Sequence, residues 1–276
     1  MKFLSVLVQR IVLAGLFLFG WYLVSSRVPA FVLPGPDAVF RAFLSLLSSS
    51  TFWKDVLDTA RRVISGFVLA AVVGSVLGVV FGSSKALATF FAPVISVLNS
   101  VSSAIWAIFA IIWFGISDAS TITVVFMASM PIIFTNVWEG TKSVDRQYIE
   151  LAKSFRMNWF QIARKIYVPT ILPAFFSAAR LAFGFGWRVS LVAETIGAGS
   201  GIGYRLRIAA DMIQSAEVFA WAFLMVTPSL PFSWATLSLL TDRAMSISPF
   251  SRAWIWVLAS SYSLMTTRST LPVEPQ

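Results

Sequence analysis

The chain has 276 residues, 58% of them apolar and only 12% charged, with a mean hydropathy of +0.82. A water-soluble domain carries about a quarter charged residues, so this composition points to a membrane protein. Cys and His are both absent, which removes disulfides, thiol nucleophiles, imidazole bases and the usual zinc, haem and iron–sulfur ligands together. The formal charge of +9 comes from Lys and Arg scattered among apolar runs. That is the pattern of topology signals and anionic headgroups, not of a nucleic-acid site.

Six apolar runs approach the length of about 20 residues that a helix needs to cross roughly 30 Å of hydrocarbon. The first covers residues 11–26, follows Lys2 and Arg10, and reads as a retained span because no small-residue cleavage site follows it. The second is 63–82, the third 90–116 with Pro93 and a polar middle, and the fourth 121–138. The fifth, 168–189, and the sixth, 218–240, contain prolines that neighbouring helices must accommodate. Residues 28–62 open with Leu33-Pro34-Gly35-Pro36-Asp37 and read as an extramembrane loop bearing a surface helix. The expected fold is all-α: a polytopic membrane protein with about six transmembrane helices, residues 1–276 forming one domain.

Residues 139–165 carry Lys142, Arg146, Lys153, Arg156, Arg164 and Lys165, whereas the turn near Asp118 carries no Lys or Arg. The positive-inside rule puts the former in the cytoplasm, and six spans then put both termini there. Lys2, Arg10, Lys85, Arg243 and Arg252 agree with that orientation; Arg41, Lys54, Arg61 and Arg62 conflict with it.

Small residues recur every four positions in the second span, at Gly66, Ala70, Gly74, Gly78 and Gly82. In lipid such a stripe lets two backbones approach closely, either within the chain or at a subunit interface. Polar residues inside spans are costly and mark candidate pathways: Asn99, Ser102 and Ser103 in the third span, and Arg180, Arg188 and Glu194 in and after the fifth. Two readings stand for the last group. Arg188 and Glu194 pair with each other or with headgroups, or the arginines line a cavity and attract an anion through charge and forked hydrogen bonds. The Gly-rich run 197–203 follows no strand and reads as a flexible extracytoplasmic or re-entrant loop, and no Gly-x4-Gly-Lys-Ser/Thr phosphate cradle occurs in the chain.

Between residues 146 and 163, Tyr148, Leu151, Ala152, Phe155, Trp159 and Ile162 recur at spacings of three and four beside a basic face. The helix is too short and too charged to span. It fits either an interfacial helix on headgroups or a helix seated in a groove of a soluble partner.

Glu150-Leu151-Ala152, Arg156 and Ile166-Tyr167-Val168-Pro169 are similar, anchor for anchor, to the EAA signature of permeases of binding-protein-dependent ABC importers. Leu151 and Val168 are mild departures. Arg156 is a larger one, standing where the signature has a Gly that permits a positive φ, so the turn there is tighter, shifted or replaced by continuous helix. The runs at 33–36, 111–116, 192–196 and 200–204 resemble the branch that imports sulfonates, taurine, nitrate and bicarbonate. The similarity fades after about residue 223, and 241–276 is atypical.

The resemblance implies a transport subunit, not an enzyme, in a bacterial inner membrane, paired with a second copy. Residues 139–167 would form a cytoplasmic coupling segment, with Glu150, Ala152, Phe155, Arg156, Trp159, Ile166 and Pro169 engaging one of two ATPase subunits. Those ATPases would bind ATP and Mg, leaving this chain without a cofactor. An external solute-binding protein would deliver a small anionic solute. The competing reading is an ion-coupled secondary carrier for a small anion, which would show internal repeats and midplane carboxylates.

Overall fold

The computed structural model describes residues 2–226, all of whose regular elements are helical. Helix α1 is Lys2–Ser25; α2, Pro36–Leu47, starts where Pro36 occupies the first turn and Asp37 favours the positive end of the helix dipole. Then come α3 (Ser50–Ser83), α4 (Lys85–Ser100), α5 (Ser103–Phe114) and α6 (Asp118–Lys142), the last with Asp118 in its first turn and Lys142 in its last. Helices α7 (Arg146–Ser154) and α8 (Trp159–Ile162) lead through a π-helical turn, Ala163–Tyr167, into α9 (Val168–Gly197). Short helices α10 (Ile202–Asp211) and α11 (Ser215–Val226) close the described part.

Among the described residues, three helical stretches are long and apolar enough to cross a membrane: Ser50–Ser83, Asp118–Lys142 and Trp159–Gly197. They correspond to the second, fourth and fifth expected spans. The third expected span is not one helix. Its halves, α4 and α5, are bent by 89°, because Val101 and Ser102 are extended (ψ 125° and 140°) and Ser102 caps the new helix by accepting from the Ala104 N–H. The polar middle of that run is therefore a break, with Ser100 also bonding back to the Ser96 carbonyl. The first expected span lies within α1. The sixth begins in α11, and its remainder lies outside the described residues, as does the atypical 241–276 segment.

Helices α3 and α6 form the centre. Gly66 meets Val125, Gly74 meets Ile133, Gly78 meets Val137 and Gly82 meets Thr141. The constant offset shows that the two helices run parallel and in contact along their length. A Cβ at Gly78 would sit 2.8 Å from the Val137 Cβ, so only the absent side chain lets the backbones come this close. The small-residue stripe thus packs within the chain. Its opposite face carries the exposed valines Val68, Val72, Val76 and Val80. Helix α9 runs antiparallel to α6: Gly140 faces Ala174, Ser129 donates to the Ala182 carbonyl, and Ser120 donates to that of Gly197. Phe134, Ile133, Val137, Ala178 and Ala182 fill the space between them.

At the Glu194 end, a buried charge knot ties α3, α6, α9 and α10. Glu194 has no exposed surface and accepts from Thr59 Oγ1 (2.8 Å), Arg62 Nη1 (2.9 Å) and the Gly203 N–H (3.0 Å). Arg62, 4% exposed in its side chain, also reaches Asp118 (2.7 Å) and both the carbonyl and hydroxyl of Ser200 (2.7 Å each). Asp55 accepts from the Gly201 N–H and pairs with Arg205 at 2.6 Å. Gly201, at φ +107°, could carry no Cβ without striking the Glu194 carboxylate. The run 197–203, expected to be a flexible loop, is instead strapped down by these bonds.

The knot also corrects the loop boundary. The expected surface helix is α2, but residues 50–62 are the first turns of α3 and not loop. Arg61 and Arg62, which conflicted with the charge rule, are the partners of Asp118 and Glu194. Topology signals need free cationic charge, and these charges are neutralised in place.

Two outcomes follow from this packing. Gly78→Leu overpacks the α3–α6 seam and should cost about 1–3 kcal/mol or more, lowering the melting temperature in detergent, whereas Gly20→Ala, with nothing within 4 Å, should leave it unchanged. Glu194→Ala removes the buried acceptor shared by Arg62, Thr59 and the Gly203 N–H and should cost about 3–5 kcal/mol; an unaltered melting temperature would contradict the structural role of the knot.

Candidate functional site

Two regions outside the buried knot carry exposed charged or aromatic side chains. One is the segment from α7 to the start of α9. The amphipathic stretch is two helices, not one, and the turn between them is intact. Met157 N–H donates to the Ala152 carbonyl (3.1 Å) and Arg156 N–H to that of Lys153 (2.9 Å), the paired closure that ends a helix with a left-handed residue. That residue is Arg156, at φ +53°. A left-handed backbone costs an L residue about 1–2 kcal/mol, and the turn is nevertheless held from both sides. Downstream, Asn158 caps α8 while its own N–H donates to Gln161 Oε1 (3.0 Å) in a reciprocal box. The same closure ends α10 at Ile213, φ +58°.

Glu150, Phe155, Arg156 and Trp159 are all exposed, Phe155 by 73% and Trp159 by 67%. Ala152 is not: at 4% exposure it turns inward, as do Val144 and Ile162. Its place on a docking face is thereby corrected; it anchors the segment from beneath. Ile166 is half-buried in the π-helical turn and Pro169 lies exposed at the start of α9. Pro169 lacks the N–H that the second helical position leaves spare, so it enters the helix without breaking a bond.

The other region is one side of α9. Arg180 and Arg188 are exposed there, with Gly184 between them and nothing within 4 Å of where its Cβ would be. Arg188 Nε donates to the Gly184 carbonyl at 3.0 Å, which holds its side chain along the helix one turn back. The Ser129–Ala182 hydrogen bond places this stretch beside the middle of α6, hence near the centre of the spanning bundle. Arg188 does not pair with Glu194, whose oxygens are taken by Thr59, Arg62 and Gly203. Glu194 belongs to the knot and lines no open path. Ser102 is exposed and Ser103 half-buried at the α4–α5 bend, and Asn99 lies in the last turn of α4. Among the described residues no group of three His, Cys, Asp or Glu could hold a metal.

The partners of Glu194 were not foreseen in the sequence. Arg62 and Thr59 lie 132 and 135 positions from it, and the signal that pointed to them was the misfit of Arg61–Arg62 with the charge rule.

Known structures share this architecture. The inward-facing MetNI methionine ABC transporter superposes with a TM-score of 0.61 at 15% identity, over 70% of this chain and 95% of that one. An amino acid ABC transporter crystallised with histidines gives 0.57 at 18% identity, over 73% and 98%. In sequence, SsuC of Bacillus subtilis, named for aliphatic sulfonates transport, is 30% identical over 193 residues, 70% of each chain. The bicarbonate transport permease CmpB of Synechococcus elongatus is 29% identical over 70% of this chain and 74% of its own. The taurine permease TauC of Escherichia coli is 25% identical over 72% and 75%. Residues 70–246 match the family model described as binding-protein-dependent transport system inner membrane component. With more than half of the chain matched by the family model and over two thirds aligned to a named permease at 30% identity, this protein belongs to the binding-protein-dependent transport system inner membrane component family.

Proposed function

We propose that the whole chain acts as one permease domain that carries a small anion across the inner membrane, two copies together forming the path. The reading rests above all on the exposed Arg180–Gly184–Arg188 side of α9. An arginine at mid-bilayer costs at least about 2.5–3.5 kcal/mol, so two of them cannot face lipid. They must face water, solute or a second copy. A guanidinium binds an oxyanion by a forked pair of hydrogen bonds, and the sulfonate, taurine and bicarbonate named for the relatives all present such a group. Ser102 and Ser103, at the bend of the broken helix, supply hydroxyls of the kind that line polar cavities, and the position of Asn99 fits the same path.

The work is supplied elsewhere. The exposed α7–α8 segment, with Glu150, Phe155, Arg156 and Trp159, fits a groove on an ATPase subunit, one for each permease copy, and that subunit binds the ATP and Mg. Nucleotide shifts the permease between inward and outward forms only so far as it favours one of them, so the segment must be held stiffly. Inward-turned Val144, Ala152 and Ile162 and the two helix caps supply that stiffness. The basic charge of 139–165 favours the cytoplasm for this end, which puts both termini inside and the Glu194 knot on the side from which a solute-binding protein delivers its cargo.

Three substitutions test the assignment in reconstituted vesicles holding permease, ATPase and binding protein. Glu150→Ala should leave folding intact and cut solute-stimulated ATP hydrolysis about tenfold; full stimulation would remove Glu150 from the coupling face. Arg188→Gln should lower anion uptake by about ten- to a hundredfold, the worth of a charged hydrogen bond of roughly 1.5–3 kcal/mol. Gly184→Leu fills open space without a packing clash and should block uptake at unchanged melting temperature; wild-type uptake in both α9 variants would refute the path.

A further inference from the structure

The turn at Arg156 carries a backbone conformation that glycine would adopt without strain, yet the residue there is a long cation. Its side chain is exposed and makes no hydrogen bond or ion pair among the described residues. The backbone bonds of the turn hold the left-handed φ of +53° in place, and the side chain itself contributes nothing to offsetting it. Strain that the surrounding structure enforces, at an exposed position, marks a functional group.

The surroundings narrow what that group meets. Phe155, Trp159 and Phe160 flank it with 73%, 67% and 70% of their surfaces exposed, and Tyr148 and Leu151 continue the patch on α7. Exposed aromatics in one cluster mark an interaction surface. A bilayer surface would be met by one straight amphipathic helix lying flat. Here the helix stops after nine residues and the chain leaves it through the left-handed turn at Arg156, so that Phe155, Arg156, Trp159 and Phe160 all fall at or just after the turn of a helix–turn–helix knob. A knob fits a groove, and a segment whose Lys142, Arg146, Lys153, Arg156, Arg164 and Lys165 outnumber Asp145 and Glu150 fits an acidic one.

We propose that Arg156 is a partner-selecting residue: its guanidinium makes a forked pair with a carboxylate of the ATPase subunit, inside the apolar groove that takes the α7–α8 knob. This rests on the docking role assigned to α7–α8 above. The aromatics supply buried area, and the arginine supplies the discrimination, since a groove lacking the acid would leave a guanidinium buried and unpaired.

The test uses the full-length permease in detergent or nanodiscs and its own ATPase subunit, with affinity measured across a salt titration. Arg156→Gly should raise the melting temperature of the isolated permease by about 2–4 °C as strain is relieved. It should also weaken ATPase binding at least tenfold and flatten its salt dependence. Arg156→Glu should abolish binding, and a Lys substituted for the matching ATPase carboxylate should restore it. If Arg156→Gly binds as tightly as the parent at every salt concentration, the proposal is overturned while the docking role stands. If Phe155→Ala and Trp159→Ala together also leave affinity unchanged, the docking role itself fails. Binding to phosphatidylglycerol vesicles that depends on Arg156, with ATPase affinity unaffected, would assign the residue to lipid and overturn the proposal.

Discussion

Helices in a bilayer gain nothing by hiding apolar surface from an apolar solvent, so what holds this bundle is closeness itself. The α3–α6 seam obtains it by removing side chains from one helix at four positions where the other carries Val125, Ile133, Val137 and Thr141. At such distances dispersion and weak backbone contacts accumulate over more than four turns. Because α3 and α6 run parallel and pinned, the placement of everything else follows: α9 lies antiparallel against α6, and the broken pair α4–α5 has to return the chain from one end of the seam to the other.

The two ends of that seam are built on opposite principles. At the Glu194 end, charge is buried and every partner is satisfied, with Arg62 bridging two carboxylates and Gly201 and Gly203 making room for a third contact. Such a network specifies one arrangement of α3, α6, α9 and α10 and resists any that separates a pair. At the Arg156 end the polar and aromatic groups are left exposed, the backbone is strained, and a π-helical turn intervenes before the long helix begins. One end is closed on itself; the other is made to be completed from outside.

The arginines of α9 belong to neither arrangement. The knot has three cations, Arg61, Arg62 and Arg205, against four acids, Asp55, Asp58, Asp118 and Glu194, so it has no surplus positive charge with which to hold an anion. Arg180 and Arg188 lie outside it on an exposed side of the helix, beside the middle of α6. Separating structural charge from pathway charge in this way lets a passing anion meet cations without competing for those that hold the helices together.

How much of this was legible in the chain depends on the range of the interaction that decides it. Local regularities were readable: the apolar runs that became α3, α6 and α9, the four-residue glycine stripe, the surface helix after Pro34-Gly35-Pro36, and the amphipathic, basic stretch with its EAA-like spacing are all patterns of one helix against an apolar medium. The break at Val101–Ser102 was visible only as a polar interruption, because an 89° bend is set by where the halves pack and not by their composition. The pairing of Glu194 was misassigned for the same reason. Residue 188 is near in sequence, whereas Arg62 is brought up by a helix that starts more than a hundred residues earlier. The conformation of Arg156 is none of the three the sequence offered, a tighter turn, a shifted one or continuous helix: the preference of an L residue opposes the left-handed turn it adopts, and the two flanking caps overrule that preference. Sequence by itself determined the class, the three spans that became α3, α6 and α9, and the family-like coupling segment, through periodicity and spacing. Only tertiary structure decided which charges are buried in holding the bundle and which lie exposed, because that depends on distances between segments that no local pattern records.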